Sequence, residues 1–383
     1  MNKLTSYYWA YRNKVSNKVF GRAFLPAQGQ KKGSVLLSYL TEPFTHTPKE
    51  GFSNLHTSDF ECFEIARLFT ARGYDVDIIH FSDTSFVPQK PYNVCVDIHQ
   101  NLARISNLLP KDCKKVLHIV GSFWKFQNNA ELQRLENLEK RKGVRLQPKR
   151  TSPPSNNLEY ADFIEGFGNK QVRDTYKHSN KPIFHIPISA VQTFDFPENK
   201  NWENAKKHFL WFGGGGAVHK GLDMVLEAFA STPELHLHIC GPLLAEKDFI
   251  EVYKKELFET PNIKIYGRID PTTAEFKNIA DMCASTIHLS SSEGTSGAVI
   301  QAMHAGLVPI ITPETGIDPD AGGIILENPT PELIKKTITE FSLSPTQEIE
   351  SLARKAWNFV AQNHTRENFS KKYSEFIDTI LKL

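Results

Sequence analysis

Short apolar strands alternate with amphipathic helices through most of this chain, and that order admits few folds besides parallel, doubly wound sheets. Ser34–Leu40 (SVLLSYL) has the apolar run of a buried strand, and after a long loop, TEPFTHTPKEGFSNLHT, a helix is well marked. Ser58 and Glu61 have capping-box spacing, Cys62, Ile65, Ala66 and Phe69 form an apolar stripe, and Gly73 ends the segment. A second strand, YDVDIIHF, follows at once. Strand, helix and strand in this order give a right-handed crossover and a parallel sheet. The pattern continues through VLHIVG, a helix from about Glu131 to Lys142 closed by Gly143, and strands around Ala161–Ile164 and Pro182–Ile188.

A polar connection, TFDFPENKNWENAKK, separates this half from a second α/β series. HFLWF is a strand, GGGGAVHK a loop, and LDMVLEAFA a helix with Leu222, Val225, Leu226 and Phe229 on one face. LHLHICG, IKIYGR, STIHLS and VPIIT supply further strands, and the end, from about Arg366, is helical. The expected architecture is α/β, with two Rossmann-like doubly wound domains facing across a cleft. Its expected parts are a basic arm over residues 1–32, domains over 33–195 and 203–360, and a terminal helix over 365–383.

A chain of 383 residues with 40% hydrophobic content can bury two cores. No apolar run reaches the roughly 18 residues of a membrane span, and MNKLTSYYWAYRNK lacks a signal-peptide core, so a cytoplasmic protein is expected. The cysteines are odd in number and widely spaced, which indicates neither a disulfide framework nor a zinc site. Residues 1–41 hold seven Lys/Arg and no acid, so the other 38 of the 45 cations face all 43 acids. That basic arm, with Tyr7, Tyr8, Trp9 and Tyr11, suits either an interfacial membrane helix or a plain packed helix. Nucleic acid is not an expected partner, since the basic residues form no recognisable module. A second basic run, KRKGVRLQPKR over 140–150, is either solvated surface or a site for an anionic acceptor or membrane.

Two segments carry the chemistry. In SSSEGTSGAVIQAMHAG (290–306) a strand hands over through small residues to a helix, which points free N–H groups and the positive helix end at one place. Glu293 and Gln301 stand two helical turns apart, toward one face, so the segment suits a diphosphate flanked by hydroxyls. Gly213–Gly216 follow a strand and let backbone approach an anion, with Lys220 just beyond. The spacing fits neither the dinucleotide fingerprint nor the P-loop.

Together HFLWFGGGGAVHKGLDMVLEAF, LHLHICGP, IKIYGRID and SSSEGTSGAVIQAMHAGLVPIIT resemble the C-terminal domain of retaining glycosyltransferases of the family-4 type, which have the GT-B fold. The resemblance is strong over residues 205–320 and weak, by strand and helix order, over 33–195. It implies that Lys220 neutralises the donor diphosphate and Glu293 bonds the donor sugar. Gly294, Thr295, Ser296 and Gly297 would offer N–H groups to phosphate, Gln301 would hold the ribose, and Gly267 and Arg268 would line the base. Gly214, Gly215, Gly216 and Gly241 would complete the nucleotide site, and the last helix would return to the first domain. Two departures stand out. The family usually has Glu where this chain has Gln301, and Gly215 occupies the place where many relatives put an Arg against the diphosphate.

In the first domain His118 ends a strand where relatives present a His to the donor sugar, so His118, Lys220 and Glu293 form the expected catalytic set. SFWKFQNNAE offers Trp124, Gln127 and Asn128 to a sugar ring, and the 41–57 loop should face the cleft. Asp75 and Asp77 have the look of a metal motif but lie inside a strand, so no metal or cofactor is expected. The implied function is retaining transfer of a sugar from a nucleotide-diphosphate sugar to a glycan or lipid-linked acceptor in polysaccharide biosynthesis. The rival readings are a nucleotide-sugar-binding protein with little catalysis, or a phosphorylase or epimerase on the same fold.

Overall fold

A computed structural model describes residues 21–45 and 56–383. The strands are β1 (Ala23–Leu25), β2 (Gly33–Tyr39), β3 (Tyr74–His80), β4 (Val94–Asp97), β5 (Lys114–Ile119), β6 (Phe163–Gly166) and β7 (Ile183–His185) in one sheet. A second sheet holds β8 (His208–Phe212), β9 (His236–Cys240), β10 (Ile263–Gly267), β11 (Ser285–His288), β12 (Val308–Ile311) and β13 (Ile324–Ile325). The first has the order β1-β3-β2-β4-β5-β6-β7 and the second β10-β9-β8-β11-β12-β13. All neighbours run parallel except β1, which pairs antiparallel with β3. In each sheet the chain winds out one way and then restarts on the other side of the first long strand. That creates a topological switch point between β2 and β4 and another between β8 and β11, the places where such sheets bind ligands.

Most of the basic arm, residues 1–20, lies outside the described residues, as do residues 46–55 of the long loop. Residues 21–32 belong to the first domain rather than to a separate arm. Ala23–Leu25 add an edge strand, Arg22 pairs with Asp83 at 2.6 Å, and Lys31 pairs with Asp75 at 2.6 Å. Helix α1 (Ser58–Thr70) forms as its stripe requires, burying Cys62, Ile65, Ala66 and Phe69. The capping box does not form: Glu61 is fully buried and instead accepts from the backbone N–H and hydroxyl of Ser189, at 2.9 and 3.0 Å.

Helix α2 (Trp124–Lys142) starts earlier than its periodicity predicts and ends, as predicted, at Gly143 with φ of 69°. It lies in the first half of the chain but packs on the second domain. Leu135 and Leu138 join the core of Phe209, Leu222 and Leu226, and Arg134 donates to the Leu289 carbonyl at 2.8 Å. Four of the six cations in the basic run 140–150 pair with carboxylates, and Lys140 and Arg145 are exposed. Arg141 pairs with Asp223 and Glu227, Lys142 with Glu256, Lys149 with Asp248 and Arg150 with Glu293, all in the second domain.

The last helix, Arg366–Lys382, crosses back onto the first domain. Phe369, Tyr373, Phe376 and Ile377 enter the core that holds Val35, Leu37 and Cys62, and Arg72 pairs with Asp378 at 2.8 Å. Among the described residues no helix is long and apolar enough to cross a membrane. Asp75 and Asp77 share one face of β3, and each is engaged, Asp75 with Lys31 and Asp77 with Lys90 and the Tyr92 hydroxyl.

Candidate functional site

The loops after β8 and β11 meet at the second switch point, and there the turn before the helix Leu222–Ala230 brings Lys220 against Glu293. Gly221, at φ of 75°, makes the turn possible, since a Cβ there would come within 2.7 Å of the Leu289 Cβ. The Lys220 ammonium pairs with Glu293 Oε1, and both side chains are about nine-tenths buried, at 8% and 12% exposure. Ser290 donates to the same oxygen at 3.2 Å, and the Arg150 guanidinium stands 3.9 Å from Oε2. Burial alone would raise the Glu293 carboxyl, but Lys220 and then Arg150 hold it far below the usual carboxylate range. His288, fully buried and stacked on Trp211, is pushed down to about 3 by burial and by Lys220, so it is neutral.

The glycine run is partly occupied by the protein itself. The Gly216 and Ala217 N–H groups donate to Glu246 Oε1, at 2.6 and 3.2 Å, so the anion at that end of the loop is an internal carboxylate. Gly214 keeps open space beside its Cα, and Gly215 is 3.7 Å from Glu246 when a Cβ is built on it. Gly241 donates to the Gly267 carbonyl at 2.7 Å and lies so close to Gly213 that a Cβ would be 2.6 Å from its oxygen. Gly267, at φ of 77°, has open space, and Arg268 beside it is exposed.

The Glu293–Gly297 loop is seated on the first domain. A Cβ on Gly294 would stand 2.5 Å from the Val120 carbonyl oxygen, and Ser122 donates to the Glu293 carbonyl at 3.0 Å. Thr295 accepts from Gly168 N–H at 3.0 Å, and Ser296 N–H donates to the Thr315 carbonyl at 3.0 Å. The Ser296 N–H expected for phosphate is therefore engaged within the protein, whereas Gly297 begins the helix Gly297–His304, whose first N–H groups have no helical partner.

Gln301 is engaged within the protein itself. It is 3% exposed; its carbonyl accepts from Gln192 N–H at 3.0 Å and its amide donates to the Gln192 carbonyl at 2.8 Å. Both of its functions clamp the connection between the domains.

His118 is not in the cleft. On β5 it alternates with Leu117 and Ile119, which line a cavity, so its ring faces the other side of the sheet. It is fully buried between Tyr39 and Phe167, and its Nδ1 is 2.7 Å from Glu165 Oε1, an oxygen that also accepts from the Tyr373 hydroxyl at 3.0 Å. Burial lowers the His118 pKa, but the Glu165 carboxylate outweighs it and the net shift is upward. A raised folded pKa means stability that is full below the unfolded value near 6.5 and is lost as pH rises through the folded one. Denaturant unfolding at several pH values is expected to show that loss in the natural protein, and Glu165→Gln is expected to flatten it.

The cavity has a volume of about 430 Å³ and opens at the carboxyl ends of β4 and β5, with Ile98, Ile119, Trp124, Gln127, Arg150 and Tyr176 among its walls. Trp124 and Gln127 reach it, but Gln127 also donates to the Arg150 carbonyl at 2.5 Å. Asn128 is not on the wall; it pairs with the Ser152 backbone in both directions. The 41–57 loop ends beside the site, for Arg150 and Glu293 both act on His56, whose pKa burial lowers.

Sequence reasoning missed Glu131, His219 and Glu246, and marked Arg150 only as one cation of the 140–150 run. Glu131 Oε2 is 2.7 Å from His219 Nδ1, His219 Nε2 is 2.6 Å from the Ser292 carbonyl, and Glu131 Oε1 accepts from Lys149 and Arg150 N–H at 2.8 and 3.2 Å. One carboxylate thus ties the Lys220 turn and the Arg150 loop together, and His219 extends the tie to the Glu293 loop. Only the HK pair in GGGGAVHK offered a signal for it.

Two parallel-sheet Rossmann-like domains facing each other at these loops are the GT-B fold. Residues 194–375 match the model of the family described as Glycosyl transferases group 1. The HepE protein of Anabaena, solved with UDP, is similar over 91% of this chain and 100% of its own, at 14% identity and a TM-score of 0.58. TarM, known from S. aureus, is similar over 74% of this chain and 54% of its own, at 12% identity and a TM-score of 0.53. The pneumococcal O-GlcNAc transferase GtfA, solved with UDP and GlcNAc, is similar over 75% of this chain and 57% of its own, at 14% identity and a TM-score of 0.50. This chain therefore spans little more than half the length of TarM and GtfA, and at such identities the likeness shows the fold. No curated protein matches the sequence.

Proposed function

We propose that this protein transfers a sugar from a nucleotide-diphosphate sugar to an acceptor. The observation that carries the proposal is the buried Lys220–Glu293 pair at the switch point between β8 and β11, inside the region that matches group 1 glycosyl transferases. As the bond from the anomeric carbon to the diphosphate breaks, negative charge grows on the leaving oxygen. A preorganised ammonium at that place lowers the barrier. Glu293, kept ionised by its cations, accepts hydrogen bonds from sugar hydroxyls and fixes the ring.

Retention follows if the acceptor oxygen attacks from the face the diphosphate leaves, its proton passing to a phosphate oxygen as the new bond forms. The first-domain cavity beside Arg150 is the acceptor site in this reading, and its aromatic and aliphatic walls suit the flat face of a saccharide or the start of a lipid-linked one. HepE, TarM and GtfA were solved with UDP, which makes UDP-sugars the first donors to try. The peripheral membrane contact of the basic arm, a cytoplasmic location and polysaccharide biosynthesis belong to the same proposal.

A second reading, a nucleotide-sugar binder with little catalysis, is favoured by Gly215 in the place of a cation and by Gln301 being engaged with Gln192. Thermal unfolding with UDP-, GDP- and ADP-sugars, followed by assay for released nucleotide, separates the two. One base class is expected to stabilise the protein, by about 2.7 kcal/mol at a hundredfold excess over Kd, and to be released on turnover. Stabilisation without release supports the binder, and no stabilisation by any donor ends both readings.

A further inference from the structure

We infer that Arg150, supplied by the first half of the chain, is the second cation for the donor diphosphate, opposite Lys220; this rests on the donor-site reading above. The glycine loop brings no charge of its own, since positions 213–216 are all Gly. Arg150 lies directly over it. A Cβ built on Gly216 would come 2.6 and 2.9 Å from the Arg150 Cγ and Cδ, so the stem rests on a glycine whose φ of 93° also disfavours other residues.

From there the guanidinium reaches toward Glu293 without hydrogen-bonding it, at 3.9 Å, on the side away from Lys220. Its Nε is buried and has no hydrogen-bond partner among the described residues, an uncompensated donor beside the proposed phosphate position. The side chain as a whole is 42% exposed and forms part of the cavity wall, so a ligand can reach it. A guanidinium with unspent donors matches phosphate geometry better than any other side chain.

The group is also held in place. Its N–H donates to Glu131 at 3.2 Å, its carbonyl accepts from Gln127 at 2.5 Å, and Glu131 in turn holds His219, next to Lys220. Arg150 and Lys220 flank the Glu293 carboxylate from its two oxygens, so a diphosphate seated there would meet a cation on each side. Because Arg150 comes from the loop after α2, its contact with the donor would join the two sides of the cleft when the site is loaded.

The test is calorimetric titration of the natural protein, Arg150→Met and Arg150→Lys with UDP and UMP, or with the diphosphate and monophosphate of whichever base the donor screen selects. Arg150→Met keeps an apolar stem on Gly216 and removes the guanidinium with its charge and donors. The expected result is a loss of diphosphate affinity of about 10- to 100-fold in Arg150→Met, little change for the monophosphate, and partial recovery in Arg150→Lys. Unchanged diphosphate affinity in Arg150→Met, or an equal loss for both ligands, overturns the inference while leaving the donor site standing. Failure of the natural protein to bind any nucleoside diphosphate removes the donor site and this inference with it.

Discussion

Lys220→Ala is expected to lower turnover with a nucleotide-sugar donor by about 10² or more, the cost of removing one preorganised charge stabiliser. It also leaves Glu293 inside the protein with Arg150 as its nearest cation, at 3.9 Å. Breaking a buried pair from one side costs about 3–5 kcal/mol of stability, because the remaining charge loses its compensation. The pH sign follows from the depressed Glu293 carboxyl: its contribution is present above the unfolded carboxylate value and is lost as pH falls toward the folded one. In Lys220→Ala much of that contribution is gone at neutral pH. Adding Glu293→Gln removes the stranded charge, so the double variant should regain stability and not turnover. A single variant with natural turnover and reduced stability would make Lys220 a structural residue only.

Strand order and the two switch-point loops were legible in the sequence because they rest on local signals. Runs such as HFLWF and STIHLS, ended by glycines or small polar residues, mark where the chain leaves the sheet, and a parallel sheet fixes the edge at which such loops gather. Partners distant in sequence were not legible. Helix α2 has a second half that is mostly charged and reads as surface, yet Glu131 meets His219 and Arg141 meets Asp223 once the second domain is in place. Its periodicity was weak because part of its apolar face belongs to a domain that begins some seventy residues later in the chain.

The face taken by His118 was hidden for a different reason. In VLHIVG the neighbours on both sides are apolar, as in any strand buried on both faces, so no alternation shows which side of the sheet the imidazole takes. Strand register decides it, and Glu165, the cross-strand partner of His118 on β6, supplies the charge that makes burial tolerable. Sequence likewise marked Ser58 and Glu61 as a cap, whereas tertiary burial of Glu61 against Ser189 overrode the local motif.

Gln301→Glu is expected to leave stability near that of the natural protein at pH 4 and to lower it by about 3–4 kcal/mol at pH 7. The side chain at 301 must both accept from Gln192 N–H and donate to the Gln192 carbonyl. An amide does both, and a protonated carboxyl does too, through its carbonyl and its O–H. An ionised carboxylate cannot donate, and it would face a carbonyl oxygen from a site that is 3% exposed. The folded pKa of the introduced Glu is therefore raised above its unfolded value near 4.3. The penalty grows by about 1.4 kcal/mol per pH unit from that value until the folded group ionises. Denaturant unfolding of both proteins between pH 4 and 8 measures it directly. The rival expectation treats Gln301 as a weakened ribose ligand, for which a carboxylate would strengthen nucleotide binding by roughly 1 kcal/mol at little cost to stability. Equal stability at pH 7 together with tighter UDP binding would favour that rival, and would mean that the Gln192 clamp opens when donor arrives.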